Sequence, residues 1–176
     1  MKNGTLFLFK ASDDPKKRNL IQKLIVYFAG PWVHAAIGCF GHVYESTWPK
    51  AMRTPLVSYQ AQVKPDEIWE PIEEFEGRKM QIYLETSVNL EWPYNVLKFV
   101  AMAVVYGTRW FWKKIKWVPF DKWIFGEICS GLADEALFAE GFDAIPGELQ
   151  GYTVPGDLRN LPGYRLISLK AFEIRK

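Results

Sequence analysis

Cys129 stands in the run Gly-Glu-Ile-Cys-Ser-Gly-Leu-Ala-Asp-Glu-Ala-Leu, where a thiol opens an apolar helical stretch, and only two histidines, His34 and His42, are present to serve it as a base. A helix N-terminus offers unpaired N–H groups and the positive end of the macrodipole, so a thiol there ionises more readily and becomes a nucleophile. Such a thiol needs a base for its proton, and the base needs a carboxylate or amide to fix its tautomer and stabilise the imidazolium. Cys129, His34 and Glu45 can fill these roles in that order. The competing readings are a buried inert cysteine, a hydrogen-bonded core histidine and an exposed strand glutamate.

Residue numbers alone test whether His34 and Glu45 can meet. If Phe40-Gly41 forms a two-residue turn, position 39 pairs with 42 and His34 opposes Thr47. Alternation of side chains then puts His34, Ala36 and Gly38 on the same face as Val43, Glu45 and Thr47. Glu45 becomes a diagonal neighbour of His34, while Cys39 and His42 fall on the opposite face. A four-residue loop keeps this register; a three-residue loop reverses it.

Other chemistry weighs less. Ser130 follows the cysteine, but Ile128 and Leu132 occupy the glycine positions of a Gly-x-Ser-x-Gly nucleophile turn, so its expected role is polar support in the first helical turn. His34, Cys39, His42 and Cys129 have the right types and count for tetrahedral zinc, which defines the alternative of a zinc-binding structural module. The face assignment argues against it, and no cofactor or metal is expected.

Three stretches carry a family resemblance: Trp32-Val33-His34-Ala35-Ala36-Ile37-Gly38, then Val43-Tyr44-Glu45-Ser46, and far downstream Ile128-Cys129-Ser130-Gly131-Leu132-Ala133. Together they resemble the permuted papain-like cysteine hydrolases of the NlpC/P60 superfamily, particularly the YiiX-like branch. In that group the histidine strand and a following polar-residue strand precede the nucleophile helix. The resemblance spans about residues 30 to 142 and implies Cys129 as nucleophile, His34 as base and Glu45 as its orienting partner. It also implies acyl transfer through a covalent acyl-enzyme, on a peptide-like substrate such as cell-wall peptide. The backbone N–H of Cys129 is the natural first oxyanion donor, and the second is unassigned. Relatives that process lipids define a further alternative, a lipid acyltransferase or thioesterase.

The elements that must position these residues follow from periodicity and breakers. Thr5 to Lys10 reads as a strand, and Asp13-Asp14-Pro15 starts a helix that runs to Ala29 and stops at Gly30-Pro31. Trp32 to Cys39 and His42 to Thr47 form the hairpin. Leu56 to Val63, Met80 to Glu85 and Tyr164 to Phe172 read as strands, Trp92 to Tyr106 as an apolar helix, and Glu127 to Ala139 as the cysteine helix closed by Gly141. Lys64 to Gly77 carries no clear pattern beyond Glu73, Glu74 and Glu76, which read as a solvated loop. Strands gathered in the middle, with helices before and after, predict an α+β class. The permuted papain-like fold refines this to a small antiparallel sheet or barrel packed with helices.

The chain has 176 residues with no linker, repeat or low-complexity tract, so residues 1–176 are expected to form a single domain. A net charge of +2 with only Lys113, Lys114 and Lys116 clustered gives no basic face for nucleic acid. The opening residues contain too short an apolar stretch for a signal peptide, and two cysteines make no disulfide framework, so a reducing cytoplasm is expected. Trp110 to Trp117 combines aromatic and lysine residues beside the apolar run Leu97 to Tyr106. That pattern suits peripheral membrane contact or a substrate groove, although Lys98 and a length below ~18 residues argue for a core helix.

Overall fold

The structure, a computed structural model, describes residues 1–94, 128–146 and 153–172. It is α+β: six strands form one antiparallel sheet in the order β4-β3-β2-β1-β5-β6. The strands are β1 (Thr5–Lys10), β2 (Trp32–Cys39), β3 (His42–Ser46), β4 (Ala51–Pro55), β5 (Glu67–Pro71) and β6 (Tyr164–Ile167). The described α-helices are α1 (Leu20–Ala29), α2 (Leu56–Gln62), α3 (Arg78–Asn89) and α4 (Cys129–Ala139).

Each sheet face has its own apolar cluster. On one face, Leu6, Leu8, Ala35, Ile37, Cys39 and Tyr44 pack against Met80 and Leu84 of α3 and Leu132, Ala133, Ala136 and Leu137 of α4. On the other, Phe7, Ala36, Val43 and Ile68 pack around Tyr59 of α2. The hairpin register is the expected one, with Cys39 opposite His42 and Ile37 opposite Tyr44. Phe40 and Gly41 both have positive φ, 43° and 73°, the geometry of a tight two-residue turn whose twist matches the strands. Between β1 and β2 the register slips: Phe9 opposes His34, but Lys10 opposes Trp32, leaving Val33 as a bulge. That extra residue places Trp32 on the same face as Ala35, which strict alternation forbids, and it lies immediately before His34.

Two expected strands are helices. Leu56, Tyr59 and Val63 all meet the Phe7 cluster, a spacing of three and then four residues that only a helix brings to one side. Pro55 precedes the first turn with φ −55°, and Leu56 donates its N–H to Gly41 O at 2.9 Å. In Met80 to Glu85, Met80 and Leu84 are fully buried while Ile82 is exposed, so the pattern is again helical, continuing to Ser87 on the buried side.

The helix expected from Asp13 to Ala29 is split. Pro15–Lys17 is a single 3-10 turn, Arg18 is extended, and α1 begins after Asn19 with a capping box in which Asn19 and Gln22 each bond the other's backbone N–H. The last strand ends at Ile167, because Ser168 caps a 3-10 turn at Leu169–Ala171. Strand β5 emerges from the Lys64 to Gly77 segment and holds an interior place between β1 and β6. Its acidic residues find cations: Glu67 makes a bidentate pair with Arg159 at 2.7 and 2.8 Å, and Glu70 meets Arg165 at 3.1 Å. The helix expected from Trp92 to Tyr106 does not start at Trp92, because Pro93 makes an antiparallel bridge with Lys50; its remainder and the aromatic-lysine segment Trp110 to Trp117 fall on residues outside those described, from 95 to 127. No helix among the described residues is long and apolar enough to cross a membrane.

Candidate functional site

Cys129 is the first residue of α4, following an extended Ile128 that supplies no side-chain cap. The N–H groups of the first turn are therefore left for other partners. The far end of α4 is closed by Gly141 at φ 94°, with Gly141 N–H donating to Phe138 O and Phe142 N–H to Leu137 O, a Schellman pair. The helix is anchored by polar groups: Ser130 donates to Thr153 O, and Thr153 Oγ1 donates to Asp134 Oδ2 at 2.6 Å. All three are buried. Ser130 thus supports the helix start, as expected of it.

His34 and Glu45 meet. His34 Nε2 lies 2.7 Å from Glu45 Oε2, with the two side chains 24% and 17% exposed. The Phe9 ring stands beside the imidazole at a centroid distance of 5.4 Å. With Nε2 committed to Glu45, Nδ1 is the nitrogen left for Cys129, whose sulfur hydrogen-bonds the same imidazole.

The strands explain how the thiol comes between them. The β2–β3 ladder ends at Ile37 and Tyr44. Alternation along an antiparallel ladder turns the Ala35 N–H to the β3 side, where the neighbouring strand has parted. That N–H serves the Cys129 sulfur, as does the backbone of Ser130.

Electrostatics make this a charge pair. Burial raises the Cys129 thiol, but the imidazolium charge, its hydrogen bond and the Ala35 and Ser130 N–H groups outweigh it and hold the thiol below its ordinary value. Burial lowers His34, yet the Cys129 charge and hydrogen bond, together with those of Glu45, push it up to about 10. Each partner therefore favours the charged form of the other, the imidazolium drawing the thiol toward thiolate.

Tyr94, which no sequence pattern marks, lies within electrostatic reach of Cys129. It follows a bridge between Lys50 and Pro93, and its N–H donates to Pro49 O at 2.9 Å, which pins it to the turn after β3. Burial and then the charge of Cys129 push its phenol up, so it stays protonated and can donate.

The four residues of the zinc alternative are not brought together. Cys39 is buried with Sγ 3.6 Å from Gly77 O, and burial with the charges of Glu140 and Glu85 pushes its thiol up to about 12. His42 Nδ1 bonds Phe40 O at 3.1 Å within the turn. Among the described residues no group of three or more His, Cys, Asp or Glu side chains is arranged to hold a metal ion. Glu73, Glu74 and Glu76 are exposed, as a solvated loop requires.

Neither the protein-family models nor the curated proteins gave a match to this chain.

Proposed function

We propose that the protein is a cysteine hydrolase that cleaves amide bonds in a peptide-like substrate, such as cell-wall peptide, through an acyl-enzyme on Cys129. The observation that carries this reading is the contact of His34 Nε2 with Glu45, which leaves the other ring nitrogen to a thiol at a helix N-terminus.

In the first half-reaction the Cys129 thiolate attacks the substrate carbonyl carbon and the carbonyl π pair moves to oxygen. As the tetrahedral intermediate collapses, the His34 imidazolium gives its proton to the leaving amine and the C–N bond breaks, leaving a thioester. In the second, His34 takes a proton from water as the water oxygen attacks the thioester carbonyl. The C–S bond then breaks, releasing the acid and restoring the thiolate. Glu45 orients the ring and stabilises each imidazolium. The oxyanion falls to the first-turn backbone N–H groups of α4 and, in this reading, to the Tyr94 phenol as second donor.

The chain order supports a permuted papain-like fold for this site: histidine strand, carboxylate strand, then the cysteine helix. The test is activity profiling of the purified protein against peptidoglycan fragments, peptide amides and lipid esters. Turnover of amides that disappears in Cys129→Ala supports the reading. Turnover of lipid esters alone moves the assignment to the acyltransferase or thioesterase alternative.

A further inference from the structure

Tyr59 sits at the centre of the apolar cluster on the face that carries His34 and Glu45, and it is 2% exposed. Its hydroxyl has no hydrogen-bond partner among the described residues. A buried phenol left in that state is costly, so an unpartnered one beside a reactive site calls for an explanation.

Its placement narrows the explanation. Helix α2 starts at the hairpin turn, where Leu56 N–H bonds Gly41 O at 2.9 Å, and Tyr59 is almost one turn further along. The Tyr59 ring packs with Ala36 and Val43, each one same-face step from His34 and Glu45. Glu45 spends Oε2 on His34, and a carboxylate has about four acceptor sites, so capacity remains. Burial and then the negative charge of Glu45 push the Tyr59 phenol up, so it stays a donor within electrostatic reach of that carboxylate.

We propose that Tyr59 is a positioning residue for Glu45, its hydroxyl donating to the carboxylate through one trapped water and so keeping the carboxylate aimed at His34. The chain of influence runs Tyr59, Glu45, His34, Cys129. The groups acting on His34 are Cys129 and Glu45, and those acting on the Cys129 thiol include His34 and the Ala35 and Ser130 backbone. Loss of the hydroxyl weakens the imidazolium and, through it, the thiolate.

The proposal rests on the activated-thiol reading of Cys129 and is tested without a substrate. Iodoacetamide alkylation of Cys129 is followed by peptide mass spectrometry from about pH 5 to 9 in the full-length wild type, Tyr59→Phe, Glu45→Gln and the double variant, with thermal midpoints for each. Tyr59→Phe should slow Cys129 alkylation about three- to ten-fold near pH 6, the effect of a thiol rise of half to one unit. In the Glu45→Gln background the same change should alter the rate by less than about two-fold, because the route through Glu45 is already cut. An unchanged alkylation profile with a raised thermal midpoint would mean a mere orphan hydroxyl and overturn the proposal. So would an equal slowing in the Glu45→Gln background. A wild-type Cys129 that alkylates like an ordinary thiol would instead remove the activated-thiol reading and this proposal with it.

Discussion

Glu45 reaches His34 at 2.7 Å across two strands whose ladder has already ended at Ile37 and Tyr44. The side-chain bond spans the gap where the backbone bonds stop, and the freed Ala35 N–H turns to the Cys129 sulfur. Parting of β2 from β3 therefore does two things at once: it opens a place for the thiol between the strands, and it leaves the base and its carboxylate on the same side of the opening.

The first consequence is a pH profile. The Cys129 thiol is held below its ordinary value, so its reactive form appears as pH rises through that lowered value. His34, raised to about 10, keeps its proton through neutrality and loses it as pH rises through that point. Acyl transfer, which needs thiolate and imidazolium together, should be bell-shaped between the two limits. Cys39, pushed up to about 12, should alkylate far more slowly than Cys129 across about pH 5 to 9. Peptide-resolved iodoacetamide kinetics on folded protein measure both, and equal rates at the two cysteines would remove the activated nucleophile.

The histidines should separate cleanly. His34→Ala should lower turnover by roughly 10²- to 10⁴-fold and shift Cys129 alkylation to higher pH. His42→Ala should leave both close to wild type, because its ring bonds Phe40 O inside the turn and faces away from the site. Circular dichroism on both variants checks that folding is intact. A greater loss in the His42 variant would contradict the hairpin register.

The hairpin was legible in the sequence because Phe40-Gly41 and strand alternation fix register by counting, and Cys129 was legible because an apolar helix with a small polar start has an identifiable first turn. The Leu56 and Met80 segments were not, since short apolar runs fit either period until burial decides; exposed Ile82 between buried Met80 and Leu84 is what settles the second. Strand β5 was hidden because Glu67 and Glu70 interrupt its short apolar run, and their cationic partners, Arg159 and Arg165, lie about 90 residues away in sequence. Tyr94 and Tyr59 were invisible because the residues they pack near are distant in the chain, and no local period marks them.

Graded loss is expected along the triad. Glu45→Gln keeps size and an acceptor but removes the charge that stabilises the imidazolium, so it should retain partial activity. Glu45→Ala should lose more, and Cys129→Ala should be the most damaging. Steady-state kinetics on any substrate turned over will rank the three, and a fully active Glu45→Ala would leave at most a Cys129 and His34 dyad.

Stability offers an independent check on how α4 is held. Glu140, at the end of α4, accepts the N–H of Gly77 at 2.9 Å and of Met80 at 3.0 Å, closing the start of α3 where Gly77 has no side chain to do so. Glu140→Ala should cost about 1 kcal/mol and lower the thermal midpoint by roughly 2–4 °C. Calorimetry measures it. An unchanged midpoint would show that this cross-helix cap contributes nothing.

Tyr94 provides the sharpest division between forming the thiolate and using it. Its backbone is pinned to the turn after β3 by Pro49 O and by the Lys50–Pro93 bridge, and its phenol senses the charge on Cys129. Ala35 and Ser130 hold the thiolate through their own N–H groups, so Tyr94→Phe should leave Cys129 alkylation near wild type. Acylation is different, because charge then develops on the substrate oxygen, and losing one donor there typically costs about 10²- to 10³-fold. Burst kinetics with an activated acyl ester, run beside iodoacetamide alkylation, read the two steps separately. Slower acylation with normal alkylation assigns the phenol to the oxyanion; equal slowing of both would place its effect on the thiolate, and no change in either would remove Tyr94 from the mechanism.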